Sequence, residues 1–441
     1  MDRARNGRNV ETRYGEGIRN PRARQRALCI AAGPDEPALS ELRELLRTAG
    51  VAIAGELTQR RPQPDPDRYF GKGKLSELKR AIGESDANLV VCDDELLPRQ
   101  ERNLEQAVGV PVIDRTAVIL DIFADHAGSA EGKLQVELAQ LEYYLARMRG
   151  LWTNLERLGG GIGTRGPGEA QIETDRRLAR DRIASLRRRL EGTRGTREVM
   201  RSERERAGLP TVALAGYTNA GKSTLLNALT GAQVGVRDRL FHTLDPTTRS
   251  LEIAGRTYLM TDTVGFIRKL PHQLVEAFGA TLEEALEADL LLHVADGSAP
   301  EAELDEMLEA VEEVLDEIGA AERPRLLALN KIDLVSEERR RELSFRFPRA
   351  LQLSSETGEG LDALRAGIEG RFLASLRAME LLVPYDQGRQ LSVLHEVAGD
   401  MEREDTPEGV IVRARVPASA AARFERFAVN GASADGSLDG R

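Results

Sequence analysis

Four short apolar runs recur near the start of the chain: Ala27 to Ala32, Val51 to Leu57, Asn88 to Cys92 and Val110 to Asp114. Each is followed by a helix-like stretch, as with Leu39, Leu42, Leu45 and Leu46 after the first. Buried strands alternating with amphipathic helices predict a small parallel α/β domain over residues 26–127. Ahead of it, residues 1–25 are rich in Arg, Asn and Gly without apolar periodicity, and read as a disordered tail. The period then lengthens. Leu134, Leu138, Leu141, Leu145, Met148, Trp152 and Leu155 step by four and three, a heptad seam on a helix from Ala130 to Arg157. A second helical stretch, Ala170 to Leu190, offers Leu178, Ile183, Leu186 and Leu190. Together they predict an antiparallel helical hairpin, an arm over residues 128–206, with the glycine-rich Gly159 to Glu169 at its tip.

Beyond the arm, strand-like runs return at Thr211 to Ala215, Tyr258 to Thr261, Leu290 to Ala295, Leu326 to Leu329 and Ala350 to Leu353. They predict a second α/β domain over residues 207–374. From Met379 the pattern changes again: Glu380 to Tyr385 and Gly409 to Val416 read as strands, Gly388 to Val397 and Ala418 to Phe427 as helices. This is a small α+β module over residues 375–430, followed by a Gly-, Ser- and Asp-rich disordered tail at 431–441.

A chain of 441 residues suits three domains, and 41% hydrophobic residues can fill their cores. No apolar run is long enough to span a bilayer and no signal-peptide core opens the chain, so a cytoplasmic protein, a monomer, is expected. Cys29 and Cys92 lie in strand-like runs and read as core residues, and the five scattered histidines offer no zinc constellation. The net charge of −10 argues against nucleic acid, but it conceals an asymmetry. Arg147 to Arg206 carries 16 Arg against 9 acidic residues, whereas Glu276 to Glu322 carries 16 acidic residues and no Lys or Arg. The acidic band reads as the solvated face of helices, and the basic band as a candidate contact for a phosphate backbone or as an ordinary charged helix face. Its glycine loop sharpens the first reading, because so permissive a segment packs almost nothing and is costly to order. Arg157, Gly161, Gly163, Thr164, Arg165, Gly166, Arg176 and Arg177 are the candidate RNA contacts, with a plain flexible connector as the alternative. In the N-terminal domain, Gly71-Lys72-Gly73-Lys74 could hold a phosphate at a helix start, although a simple loop-to-helix entry explains it as well.

The chemistry concentrates between the strand Thr211 to Ala215 and the helix that begins at Thr224. There the chain reads Gly216-Tyr217-Thr218-Asn219-Ala220-Gly221-Lys222-Ser223-Thr224. A glycine-bounded loop between strand and helix converges backbone N–H groups on phosphate oxygens, and the helix N-terminus adds its positive dipole end. Lys222 supplies charge for the β and γ phosphates, and Ser223 a hydroxyl for Mg²⁺. Asp262-Thr263-Val264-Gly265 follows at a strand end, where Asp262 can hold Mg²⁺ through water and Gly265 can give its N–H to the γ-phosphate. Asn330-Lys331-Ile332-Asp333 supplies a carboxylate for guanine N1 and its 2-amino group, donors that adenine lacks. Ser354 and Ser355 sit where a loop would close over the base. Four such elements in order predict a GTPase domain, with Lys222, Thr243 and Gly265 as its catalytic set and Ser223, Thr243 and Asp262 as its metal set.

The order of elements resembles that of the translation-factor-related GTPases. Phe241-His242-Thr243-Leu244-Asp245-Pro246 is similar to switch I of the Obg-like group, with Thr243 closing on Mg²⁺ and the γ-phosphate, and Thr247 or Thr248 as alternatives. Phe266 stands where many GTPases carry a water-orienting glutamine, so intrinsic turnover should be slow. In related GTPases an asparagine placed like Asn219 helps hold potassium; the alternative is that it merely caps the loop. With the glycine loop, Glu173-Thr-Asp-Arg-Arg177, Leu244-Asp-Pro-Thr-Thr-Arg249 and Asp262 to Phe266, the chain from 27 to 430 resembles the HflX family of ribosome-associated GTPases. That resemblance implies GTP and GDP as ligands, binding to the large ribosomal subunit with its RNA, stimulation there, and splitting or rescue of stalled ribosomes. It also implies, for some members, ATP binding by the N-terminal domain. One departure is visible: His242 stands where alanine is common. The competing readings are a nucleotide-gated switch for another protein, and an RNA-dependent ATPase acting through the N-terminal domain.

Overall fold

The computed structural model describes residues 25–34, 38–148, 167–206, 209–231, 240–241, 246–269, 271, 274, 279–398, 401–416 and 418–429. The chain divides into two compact units, with the break between Leu186 and Arg187.

In the first unit β1 (Arg26–Gly33), β2 (Ala52–Arg60), β3 (Leu89–Cys92) and β4 (Val112–Asp114) form a sheet in the order β2-β1-β3-β4. Every pairing is parallel, as the strand–helix alternation requires. The helices α1 (Ser40–Thr48), α2 (Lys72–Ser85), α3 (Pro98–Val108) and α4 (Arg115–His126) supply its apolar cover. Leu42, Leu45 and Leu46 of α1 are fully buried, each adding about 1.5–3 kcal/mol of burial energy. Both cysteines are free and buried. At the start of α2 the Gly71 N–H donates to Gln59 Oε1 (3.1 Å) and Lys74 pairs with Glu77 (2.8 Å), which is the geometry of a loop-to-helix entry.

The arm helices are α5 (Ala130–Met148) and α6 (Pro167–Arg206). Their buried stripes differ from the expected seam. On α5 the buried residues are Gly132, Gln135, Val136, Leu138, Ala139 and Tyr143, while Leu134, Leu141 and Leu145 are only half-buried. The stripe is turned because the small side chains Gly132 and Ala139 allow close packing, and Tyr143 reaches inward to donate to Asp114. On α6, Ile183 and Leu186 are buried as expected, but Leu178 is 58% exposed and Ala179 takes the inward position. The glycine loop lies outside the described residues.

In the second unit β5 (Thr211–Gly216), β6 (Thr247–Ile253), β7 (Arg256–Asp262), β8 (Leu290–Asp296), β9 (Arg325–Asn330) and β10 (Leu351–Gln352) form a six-stranded sheet, order β10-β9-β8-β5-β7-β6. Only β6 runs antiparallel, in a hairpin with β7 that turns at Ala254 and Gly255, both at positive φ. Sequence periodicity marks only Tyr258 to Thr261 of this hairpin, since the inward face of β6 has just Leu251 and Ile253 as apolar residues and Arg249 stands on it. The helices are α7 (Lys222–Thr230), α8 (Gly279–Glu287), α9 (Glu301–Glu317), α10 (Glu337–Arg346) and α11 (Leu361–Ser375). From β5 the chain builds first towards β7 and β6, then crosses to β8 and β9. The carboxyl end of β5 is therefore the switch point where open α/β sheets bind ligands. The acidic face of α9 is held by arginines: Glu301 and Asp305 meet Arg346, Glu306 meets Arg268 and Glu312 meets Arg325.

A three-stranded antiparallel sheet follows, built from β11 (Arg377–Val383), β12 (Met401–Thr406) and β13 (Gly409–Val416) in the order β11-β13-β12. It packs Leu381, Val383, Val410 and Val412 against Leu394 of α12 (Gly388–Val397) and Phe424 of α13 (Ala418–Phe424). The last expected helix is shorter than 418–427, tightening into a 3₁₀ turn at Glu425–Phe427. Strand β12 is absent from the sequence expectation. Its run Glu402-Arg-Glu-Asp405 is exposed and charged, as suits an edge strand, and carries no apolar alternation.

Candidate nucleotide site

The loop after β5 is shaped by contacts that exclude side chains. A Cβ on Gly216 would stand 2.1 Å from the Val294 carbonyl oxygen, and one on Gly221 would stand 2.3 Å from Asn330 Nδ2. Gly221 (φ 92°) and Asn219 (φ 61°) both take left-handed backbone, which turns the chain into α7. No side chain caps the start of α7, so its first N–H groups face the loop.

Lys222 is folded back over this loop. It is 7% exposed, and its Nζ donates to the carbonyls of Gly216 and Tyr217, both at 2.9 Å. Burial pushes its pKa down to about 8, an effect that nearby Asp262 partly offsets. Beside it, Ser223 Oγ donates to Asp262 Oδ2 at 2.6 Å. Asp262 ends β7 and is 1% exposed, and the Thr263 hydroxyl donates to the Leu214 carbonyl at 2.6 Å, locking this segment to β5. Val264 is buried, and Gly265 lies so near the loop that a Cβ there would meet Thr218 Cγ2 at 2.8 Å. Phe266 is fully buried and forms an isolated parallel bridge with Tyr217 of the loop: its N–H donates to the Gly216 carbonyl (3.1 Å) and its carbonyl accepts from Thr218 N–H (2.7 Å). Two residues on, Arg268 N–H donates to the Tyr217 hydroxyl at 3.0 Å.

The third group joins through Asn330. Its Nδ2 donates to the Ala220 carbonyl (2.8 Å) and its Oδ1 accepts from Ser355 N–H (2.9 Å), so one buried amide staples the loop to the segment after β10. Lys331, at φ 62°, pairs with Asp296 at 2.7 Å. Asp333 is exposed in the 3₁₀ turn Ile332–Leu334. Ser354 is fully buried, and its hydroxyl accepts from Thr357 N–H at 3.1 Å.

The structure thus gathers Gly216 to Thr224, Asp262 to Gly265, Asn330, Lys331, Ser354 and Ser355 around one end of the sheet. Thr243 lies outside the described residues, as do Arg157, Gly161, Gly163, Thr164, Arg165 and Gly166. Of the alternatives to Thr243, Thr248 sits within β6 with its hydroxyl 2.9 Å from that of Thr261, and Thr247 faces Asp262 across the strand pair. Arg176 is half-buried and Arg177 exposed on α6. Sequence reading passed over two participants, Asp296 and His293, and one role of Asn330. Asp296 holds Lys331, and its signal is an acidic residue closing an apolar strand. The structural duty of Asn330 has no sequence signal apart from its base-reading motif. His293, on β8 beside Ala215, is 5% exposed. Its pKa is pushed down to about 4, chiefly by burial. It is therefore neutral and adds no second charge near Lys222.

Comparison with known proteins identifies this assembly. Residues 36–124 match the family model described as GTP-binding GTPase N-terminal, 126–204 its GTP-binding GTPase middle region, and 211–331 the 50S ribosome-binding GTPase model. A GTPase HflX from Caldanaerobacter subterraneus subspecies tengcongensis is 46% identical over 413 residues, covering 93% of this chain and 95% of its own. The GTPase HflX of Escherichia coli K12 is 46% identical over 384 residues, 86% of this chain and 89% of its own. Among solved structures, a GTP-binding protein from Sulfolobus solfataricus in complex with GDP is 27% identical and covers 79% of this chain and 98% of its own, with a TM-score of 0.40. At this identity and coverage the chain belongs to the HflX GTPases and is a GTP hydrolase.

Proposed function

We propose that this GTPase binds the large ribosomal subunit, that the subunit stimulates its turnover, and that it splits or rescues stalled ribosomes in the cytoplasm. The observation that carries this reading is the pairing of two features in one chain. The domain over 211–331 matches a model described as a 50S ribosome-binding GTPase, and the helix before it carries a group of exposed arginines. On that helix Arg177, Arg180, Arg182, Arg187, Arg188 and Arg189 are all exposed, a charge pattern suited to phosphate backbone. The low aromatic content agrees with backbone contact in place of base stacking.

In the site, Gly216 to Thr224, Asp262 to Gly265, Asn330, Lys331, Asp333, Ser354 and Ser355 hold the nucleotide. Ser223 and Asp262 fit a magnesium ion: a hydroxyl and a carboxylate already 2.6 Å apart are hard oxygen donors of the kind that Mg²⁺ shares with phosphates and water. Mg²⁺ there would neutralise charge on the phosphates, with Thr243 as the further protein donor. Among the described residues no other cluster of acidic, His or Cys side chains suits a metal. The buried Phe266 leaves room for outside help in catalysis, from a ribosomal group or from potassium held at Asn219.

The test is removal of residues 159–168. The shortened protein should lose co-sedimentation with 50S subunits while keeping its affinity for GDP. Undiminished co-sedimentation would contradict the role given to the arm.

A further inference from the structure

We infer that Asp296 is a positioning residue for guanine recognition: it holds the Lys331 ammonium away from Asp333 and so keeps the Asp333 carboxylate open for the base. This rests on the reading of Asn330 to Asp333 as the base-reading segment. Asp296 closes β8 directly beside Asn330, which closes β9. Both of its carboxylate oxygens are committed. Oδ2 accepts from Lys331 Nζ at 2.7 Å, and Oδ1 accepts from the Ser298 N–H at 2.9 Å and from the Ser298 hydroxyl. The next residue adds a backbone tie, since the Gly297 N–H donates to the Asn330 carbonyl at 2.8 Å. The turn after β8 is thereby fastened to the segment after β9.

Asp333 is in the opposite condition. It is exposed in the 3₁₀ turn, and its side chain makes neither a hydrogen bond nor an ion pair among the described residues. Two cations stand near it. Lys331 is two positions away, on left-handed backbone that a residue with a side chain takes only at a cost. Arg340 lies within electrostatic range of the carboxylate. Each is tied to another acid: Lys331 to Asp296, and Arg340 to both carboxylate oxygens of Glu359. A carboxylate whose neighbouring cations are both engaged elsewhere keeps its lone pairs for a ligand.

Guanine presents two donors side by side, N1–H and the 2-amino group, and a carboxylate accepts both only while no ammonium competes for it. Lysine is a compact cation on a flexible four-carbon stem. Released from Asp296, the Lys331 ammonium becomes an intramolecular competitor for Asp333, and such a competitor acts at high effective concentration. Hypoxanthine offers N1–H alone, so it loses less than guanine when the carboxylate is taken. Asp296 therefore acts on base selection through Lys331.

The experiment measures equilibrium binding of GDP and of inosine diphosphate to the full-length chain, wild type beside Asp296→Asn. This variant keeps an acceptor for Ser298 and removes the charge that holds Lys331. GDP affinity should fall roughly 5–10-fold, and inosine diphosphate affinity less, so that the preference for GDP narrows. In a Lys331→Ala background the same replacement should change GDP affinity by less than about twofold, because no ammonium is left to release. Wild-type GDP affinity in Asp296→Asn would overturn the proposal. Equal losses for the two nucleotides, or the same loss with and without Lys331, would overturn it too, by assigning Asp296 to the shape of its turn alone. If the asparagine chain does not fold, Asp296→Ser supplies the same comparison. Full GDP affinity in Asp333→Ala would instead strike at the reading of the base segment.

Discussion

At the carboxyl ends of the N-terminal strands, charged side chains are closed upon one another. Arg115, 1% exposed, lies between Glu41 and Asp93, and Arg147 between Asp114 and Glu101 with its guanidinium over the Tyr143 ring. Asp114 also accepts from the Tyr143 hydroxyl, the Leu96 N–H and the Ala117 N–H. At the same end of the central sheet the polar groups are held but not used up. Lys222 rests on two carbonyls and the start of α7 has no side-chain cap. The two sheets share a parallel architecture, so architecture does not separate them. What separates them is that the buried arginines of the first are paired with carboxylates, whereas Lys222 donates to backbone carbonyls alone. Closed clusters position elements, as Arg147 fixes α5 to the N-terminal domain, and open ones await a ligand.

The comparison can be broken at its closed end first. Replacing Arg115 with Met leaves Glu41 and Asp93 facing each other in a dry site, and should destabilise the N-terminal domain by about 3–5 kcal/mol. Denaturant unfolding would show this as an early transition, with GTP turnover nearly unchanged. A turnover loss as large as the stability loss would mean that the cluster serves the nucleotide site after all.

At the open end, Lys222→Ala should reduce GTP hydrolysis roughly 10²–10³-fold. Stability should change little, because the carbonyls it leaves can turn to water. A single-turnover assay and a melting curve on the same preparation test both halves.

A smaller effect concerns pH. In the nucleotide-free protein burial places the Lys222 pKa at about 8, and phosphates beside it must raise that value on binding. The bound state then holds more protons than the free state at alkaline pH, so affinity falls as pH rises. GDP affinity should be level below pH of about 7.5 and fall by up to about tenfold per unit above 8. Calorimetry in buffers of different ionisation enthalpy should register the proton uptake. Affinity level to pH of about 9.5 would remove Lys222 from the phosphate site.

Much of this was legible in the sequence because period and chemistry agree there. Alternating apolar runs and helices marked the strands of both α/β sheets except β6, and glycines at two fixed positions marked a loop where side chains would collide with Val294 and Asn330. The illegible parts have distinct physical reasons. Strand β12 is a charged edge whose pairing comes from β13, so its own residues carry no apolar signal. The stripe on α5 is set by what packs against it, and small residues with Tyr143 displaced the leucines that periodicity favoured. Leu178 is exposed because Ala179 faces inward. Within the site, sequence could say that Thr218 belongs to the loop. That its N–H is held by Phe266 and its methyl lies near Gly265, 48 and 47 positions away, only the folded chain shows.

The central claim is that an incomplete GTPase site is completed on the large ribosomal subunit. Its most direct test is GTP hydrolysis with and without purified 50S subunits, each in potassium and in sodium buffer. The account predicts slow turnover alone and strong stimulation by subunits, with any potassium dependence in their absence assigned to Asn219. Equal turnover with and without subunits would contradict it.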